Sequence, residues 1–126
     1  MKWLLIAFGG AAGSVLRFAL TSWGQRIFGG PFPVGTVAVN TLGCLLFGFM
    51  GAMLATQWQV REEFRLAILI GFLGGFTTFS TYSAETVALV GEGDWWNAAA
   101  NLLVSNVLGL LAVLAGFRLA GHLQGA

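Results

Sequence analysis

Long apolar stretches separated by short polar, glycine- or proline-containing segments form the dominant pattern of this sequence. We predict four membrane-spanning helices, over residues of about 3–20, 34–56, 64–90 and 95–120. Each stretch is long enough to cross about 30 Å of hydrocarbon, since a helix rises about 1.5 Å per residue. The connections are short, so neighbouring helices are expected to run antiparallel. The pattern therefore predicts one four-helix transmembrane domain over residues 1–126.

Composition agrees with a protein of the lipid bilayer and excludes several other classes. Hydrophobic residues make up 57% of the chain and charged residues 9%, whereas about 25% of a soluble domain is charged. The net charge of +1 leaves no basic face that would bind nucleic acid. The pattern contains no His/Cys/Asp cluster, nucleophile–base pair or phosphate-binding loop. We therefore predict an all-α integral membrane protein that is not an enzyme.

The third apolar stretch contains a segment that is unsuited to a lipid-facing helix. Residues 74–83 read GGFTTFSTYS, a glycine pair followed by hydroxyl residues interleaved with aromatics. Glycines weaken a helix, and Thr77 and Thr78 can bond backbone groups that a local unwinding frees. Broken helices in transporters hold ions on such freed carbonyls. We predict a helix break here, with a kinked but intact helix as the alternative.

Polar side chains inside the other stretches have two interpretations. Asn97, Asn101 and Ser105 follow one another at intervals of four residues and share a helix face, with Asn106 one step round. Such residues either join helices or line a hydrated path. Arg17 needs a polar or anionic partner unless its side chain reaches the interface. Glu85 is either a structural hydrogen-bond acceptor or a functional group that pairs with a positive group or coordinates a cation.

Glycine is abundant within the predicted spans. The chain has 19 glycines, and Gly9 and Gly13 form a small-xxx-small pair that lets two helix backbones approach closely. Four thin helices enclose little interior. We therefore predict tight helix packing and a homo-oligomer.

Four motifs, in matching order along the whole chain, carry a resemblance to a known family. Residues 71–85 (GFLGGFTTFSTYSAE) resemble the third-helix signature of the Fluc/CrcB fluoride channels. Residues 13–17 (GSVLR), residues 35–36 (GT) followed by Asn40, and residues 106–109 (NVLG) resemble the patterns of the other three helices. The resemblance implies an antiparallel, dual-topology homodimer in the inner membrane of a prokaryote. Such a dimer passes fluoride passively out of the cell.

The resemblance also implies the roles of particular residues. A structural sodium ion at the dimer interface would be bound by backbone oxygens of Gly74 and Thr77 from both subunits. Arg17 corresponds to an arginine of the family's first helix, and we assign it to the structure of an anion vestibule. The expected fluoride pathway consists of aromatic ring edges, amides and hydroxyls: Asn40, Phe79, Ser80, Thr81, Tyr82, Ser105 and Asn106.

The chain departs from the family pattern at two positions. Tyr82 stands where the family usually has Phe, and its hydroxyl can bond fluoride or a neighbouring side chain. Leu110 follows Gly109 where the family often has Ser, which makes Asn106 a better candidate than Ser105. The alternative function is that of a small dual-topology multidrug or cation transporter. Such proteins depend on a glutamate in the first span, which here has no carboxylate.

Overall fold

Every regular element that the structure describes is helical. The computed structural model describes residues 1–125. The elements are, in chain order, α1 (Lys2–Phe28), α2 (Val34–Thr56), α3 (Glu62–Leu66), a π-helical segment (Ala67–Phe72), α4 (Leu73–Phe76), α5 (Phe79–Gly91) and α6 (Trp95–Leu123).

The prediction of four membrane-spanning helices is confirmed. Within residues 1–125, four helical segments are long and apolar enough to cross a membrane: Lys2–Phe28, Val34–Thr56, Glu62–Gly91 and Trp95–Leu123. We call them the first to fourth spans. The first helix continues eight residues beyond the predicted end near residue 20 and stops at Phe28. Its polar last turns remain helical because nothing in them interrupts backbone bonding until Gly29, which has a φ of 61°.

The third span is not one regular α-helix. Residues 67–72 form the π-helical segment, a wider turn that the sequence pattern did not predict. After Phe76, Thr77 (φ −88°, ψ 156°) and Thr78 (φ −148°, ψ 112°) have extended backbones. The α-helix then resumes at Phe79. Residues 77–78, hereafter the break, therefore lie near the middle of the third span.

Glycines bring the first span into backbone contact with the third. A Cβ atom on Gly13 would collide with the carbonyl oxygen of Phe72, and one on Gly75 would lie 2.6 Å from the carbonyl oxygen of Gly10. Gly9 likewise lies against the Ala67 carbonyl. The predicted tight packing through glycines is therefore confirmed for this pair of helices.

The third span changes its neighbour at the break. The π-helical segment and α4 pack on α1, whereas α5 packs mainly on α6. The second span packs along α6, where Gly48 and Gly116 meet the partner helix's backbone. The break is thus the place where contacts pass from the first span to the fourth.

Candidate functional site

Asn40 holds the broken backbone with both ends of its amide. The Thr78 N–H donates to Asn40 Oδ1 at 2.7 Å, and Asn40 Nδ2 donates to the Thr78 carbonyl at 3.0 Å. A backbone that leaves helical geometry inside a bilayer must find other partners for its polar groups. The second span supplies them here through one side chain, so Asn40 is part of what makes the break stable.

Thr78 also begins the helix that follows the break. Its Oγ1 accepts a hydrogen bond from the Thr81 N–H at 3.1 Å, as an N-cap residue does. The same hydroxyl donates to Thr81 Oγ1 at 3.0 Å and lies 3.3 Å from Ser80 Oγ. The hydroxyls of the sequence motif are therefore arranged around the first turn of α5.

The break leaves backbone carbonyls without hydrogen-bond donors. In a continuous helix the Gly74 carbonyl would bond the Thr78 N–H, and the Thr77 carbonyl would bond the Thr81 N–H. Those N–H groups donate to Asn40 and to the Thr78 hydroxyl instead. Within residues 1–125, the Gly74 and Thr77 carbonyl oxygens accept no hydrogen bond. Gly74 is exposed, and the nearest atom to a Cβ placed on it would be the Leu69 carbonyl oxygen, 3.9 Å away.

A cavity of about 290 Å³ adjoins the break. We call it the central cavity. Its lining contains amides, hydroxyls, aromatic rings and one thiol, but no Asp, Glu, Lys or Arg. The lining residues are Asn40, Gly43, Cys44, Phe47, Thr77, Thr78, Phe79, Tyr82, Ser105, Asn106, Gly109 and Val113.

The two aromatics of the motif lie side by side but differ in exposure. The ring centroids of Phe79 and Tyr82 are 5.5 Å apart, and the planes are inclined at 50°. Phe79 is 78% exposed, whereas Tyr82 is 8% exposed. Phe79 therefore gains little packing within one copy of the chain, whereas the Tyr82 side chain is packed against the rest of the helix bundle.

A line of hydrogen bonds joins α5 to α6, and we call it the polar seam. Thr86 Oγ1 donates to the Tyr82 carbonyl at 2.8 Å and accepts from Asn101 Nδ2 at 2.9 Å. Ser105 Oγ donates to Asn101 Oδ1 at 3.0 Å. Asn101 is 1% exposed, so of the two interpretations of this residue the geometry favours joining helices. Asn97 Nδ2 bonds the Asp94 carboxylate at 2.7 Å at the start of α6.

The seam ends at the Tyr82 hydroxyl. Asn106 Nδ2 donates to Tyr82 Oη at 3.0 Å and also to the Leu102 carbonyl at 2.7 Å. The sequence allowed two partners for this hydroxyl, fluoride or a neighbouring side chain. The structure contains the second, the Asn106 amide.

A second cavity, of about 430 Å³, lies between the ends of α1, α2 and α5. Glu85 and Thr36 line it, and the Thr36 hydroxyl donates to Glu85 Oε1 at 2.7 Å. The carboxylate oxygen Oε2 is buried and has no hydrogen-bond partner within residues 1–125. Glu85 thus acts as the hydrogen-bond acceptor that was one of its two interpretations.

The predicted site residues divide into three groups in the structure. Those that line the central cavity are Asn40, Thr77, Phe79, Tyr82, Ser105 and Asn106. Ser80 and Thr81 contact this group through the Thr78 hydroxyl. Arg17 and Gly74 line neither cavity.

Several lining residues of the central cavity were not assigned to the site from the sequence, and Cys44 and Phe47 are the two with large or reactive side chains. Both stand in an apolar run that gives no polar signal. Their spacing from Asn40, four and seven residues on, places all three on one helix face and was the available clue.

The geometry defines a class of protein, a multi-pass helical membrane protein with an uncharged cavity of amides, hydroxyls and aromatic rings at a helix break. More specifically, the chain belongs to the CrcB family. Residues 4–117 match the family model described as "CrcB-like protein, Camphor Resistance (CrcB)". The resemblance predicted from the motifs is therefore confirmed.

Individual relatives cover nearly the whole chain. A protein of Maridesulfovibrio salexigens named "Fluoride-specific ion channel FluC" is 42% identical over 118 residues, which is 94% of each chain. A protein of the same name from Solibacter usitatus is 45% identical over 120 residues, covering 95% of this chain and 98% of that one. A third, from Rhizobium johnstonii, is 42% identical over 113 residues and 90% of each chain.

Proposed function

We propose that this protein is a fluoride channel that lets fluoride leave the cytoplasm passively and so lowers its toxicity. The observation that carries the proposal is the central cavity, which offers neutral donors and ring edges but no charged side chain. Its similarity to relatives named fluoride-specific ion channels supports the same substrate. The protein is accordingly a channel and not an enzyme.

The chemistry of the anion fits this lining. Fluoride is small and strongly hydrated, so a pore must replace the hydrogen bonds that water gives it. Amides, hydroxyls and the positive edges of aromatic rings do so without binding the ion as tightly as a buried cation would. The proposed pathway comprises the residues assigned from the sequence, namely Asn40, Phe79, Ser80, Thr81, Tyr82, Ser105 and Asn106.

A structural Na⁺ at the break is part of the proposal. Its ligands would be the backbone oxygens of Gly74 and Thr77, which accept no hydrogen bond within residues 1–125. Hard cations of this kind prefer uncharged or anionic oxygen ligands, so the freed carbonyls fit the ion. When bound, the ion would neutralise these carbonyl dipoles and hold the break in one conformation.

The partner that fits the break is a second, inverted copy of the chain. Gly74, Phe79, Ser80 and Asn106 are exposed at the middle of their spans. Broken backbone and polar side chains are unfavourable against lipid. Because the break lies near mid-span, two antiparallel copies would bring both breaks together and double the carbonyl ligands. We therefore propose a dual-topology homodimer in the inner membrane of a prokaryote.

The decisive experiment measures anion efflux from liposomes that contain the purified protein. Vesicles loaded with potassium fluoride are treated with valinomycin, so that potassium follows and no voltage opposes efflux. We expect rapid release of fluoride and none of chloride from matched vesicles. Absence of fluoride release would refute the channel.

The same assay separates the channel from the transporter alternative. A passive channel releases fluoride without a proton gradient, whereas a coupled transporter needs one. The first span carries no carboxylate, which favours the channel. Release that appears only after a proton gradient is imposed would favour the transporter.

A further inference from the structure

Asn106 has no amide hydrogen left for an anion. A side-chain amide carries two N–H hydrogens on its nitrogen. In Asn106 one goes to the Leu102 carbonyl and the other to Tyr82 Oη. The Leu102 carbonyl can only accept, so it fixes which end of the amide is the nitrogen. The residue assigned to the pathway from the sequence thus uses both of its donors within the protein.

Thr77, Thr78 and Ser105 also line the central cavity, and their hydroxyls likewise donate their hydrogens within the protein. Thr77 donates to the Leu73 carbonyl at 3.0 Å. Thr78 donates to Thr81 Oγ1, and Ser105 donates to Asn101 Oδ1. Each hydroxyl has a single hydrogen, so these residues present only oxygen lone pairs to the cavity, which an anion avoids.

Tyr82 is the exception among the hydroxyls. Its oxygen accepts from Asn106, and its own hydrogen finds no acceptor within residues 1–125. The side chain lines the central cavity and is 8% exposed. Leaving so nearly buried a donor without an acceptor costs the protein free energy. The second amide hydrogen of Asn40 is the other strong donor left, because Asn40 Nδ2 gives one hydrogen to the Thr78 carbonyl.

We propose that the Tyr82 phenol donates its O–H to the permeating anion, and that Asn106 is a positioning residue that holds the phenol in place. The inference rests on the proposed function, since it assigns the donor for the same fluoride. A hydrogen bond to an anion is stronger than one between neutral groups. The bond that the oxygen accepts from Asn106 polarises the O–H and strengthens it as a donor.

The structure offers a direct spectroscopic test because the chain has a single tyrosine. Protein labelled with ¹³C at the phenol Cζ gives one NMR resonance from Tyr82. We titrate the reconstituted protein with sodium fluoride, and with sodium chloride as the control. The inference predicts a saturable downfield shift with fluoride and none with an equal concentration of chloride.

The outcomes separate this inference from the proposed function. A resonance that stays fixed in protein that conducts fluoride would overturn the role of Tyr82 and leave the channel standing. If the unmodified protein released no fluoride, both this inference and the proposed function would be refuted. A shift that appears equally with chloride would also overturn the inference, because the site would then respond to ionic strength.

Two variants test the roles of Tyr82 and Asn106 without the label. Tyr82→Phe removes the donor and should raise the half-saturating fluoride concentration of efflux by about threefold to tenfold. The matched control is Ser83→Ala, which removes a hydroxyl that bonds the Phe79 carbonyl in its own helix. It should leave efflux unchanged, and an unchanged Tyr82→Phe would contradict the inference.

The pair of substitutions also has an expected order. In Tyr82→Phe one Asn106 hydrogen is released and can reach the anion directly. Asn106→Leu should therefore impair efflux more in the Tyr82→Phe background than alone. If Asn106 were the donor in the unmodified protein, Asn106→Leu would already have its full effect by itself.

Discussion

The two halves of the third span are held by different physical means. Before the break, glycines let the backbone of residues 67–76 lie directly on the first span. After the break, α5 is joined to α6 by the hydrogen bonds of the polar seam. The first arrangement tolerates no added volume, whereas the second depends on partners for polar atoms. Stability and ion chemistry are therefore separable along one helix.

The largest expected effect comes from filling the glycine contact. A Cβ atom on Gly13 would collide with the Phe72 carbonyl and lie 2.9 Å from the Phe76 nitrogen. Gly13→Leu should lower the free energy of unfolding by about 3 kcal/mol, measured by SDS titration in mixed micelles. Gly51→Leu is the control, because Gly51 has open space around it. Equal stability of the two variants would show that the contact is not needed.

Removing the amide that holds the break should have the next largest effect. Asn40→Ala leaves the Thr78 N–H and carbonyl without partners and should cost about 2 kcal/mol of unfolding free energy, with loss of fluoride efflux. The neighbouring Thr41→Ala, whose hydroxyl makes no hydrogen bond within residues 1–125, should change neither. If Asn40→Ala were as stable as the parent, the break would not depend on the two hydrogen bonds of the Asn40 amide.

A substitution of Phe79, the first residue after the break, tests whether this ring serves conduction without serving stability. Because its ring is 78% exposed in one copy, Phe79→Ile should leave the fold of each copy intact. Ile is also apolar, so the proposed dimer should still form on size exclusion. Efflux should fall about tenfold, as loss of about 1.4 kcal/mol of anion stabilisation would produce. The control is Phe18→Ile, a similarly exposed ring on the first span. Undiminished efflux in Phe79→Ile would mean that the ring only packs.

The smallest expected effect lies within the polar seam. Asn101→Leu removes the bond to Thr86 and the acceptor for Ser105. It should lower the free energy of unfolding by about 1 kcal/mol, while efflux per mole of protein stays the same. A strong loss of efflux in a stable protein would place Asn101 on the ion path.

Much of this architecture could be predicted from the chain, because membrane spans and close glycine contacts have local signals. The apolar runs indicated all four spans, and the Gly9–Gly13 pair indicated a backbone contact. The first helix continues beyond the predicted end of the first span because polar residues do not stop a helix while its backbone bonds can continue. The π-helical segment, which packs on the first span, was not predicted from the sequence.

The chemistry of the site was predictable only in part. The motif indicated residue types that line the central cavity, but not how their hydrogens are shared. Asn40 and Asn106 look alike in the sequence, yet among the described residues 1–125 Asn40 keeps one free N–H and Asn106 keeps none. That difference arises from tertiary geometry, because it depends on which carbonyl or hydroxyl lies within reach of each amide.

The two extended residues at the break also change which face of the third span points at each neighbouring helix. In an uninterrupted helix, residues seven apart lie on the same face, so Gly75 and Tyr82 would both point at the first span. Instead Gly75 lies against Gly10, and Tyr82 bonds Asn106 on the fourth span. The threonine pair thus acts as a rotational offset, which lets one chain segment use its small residues against one neighbour and its polar residues against another.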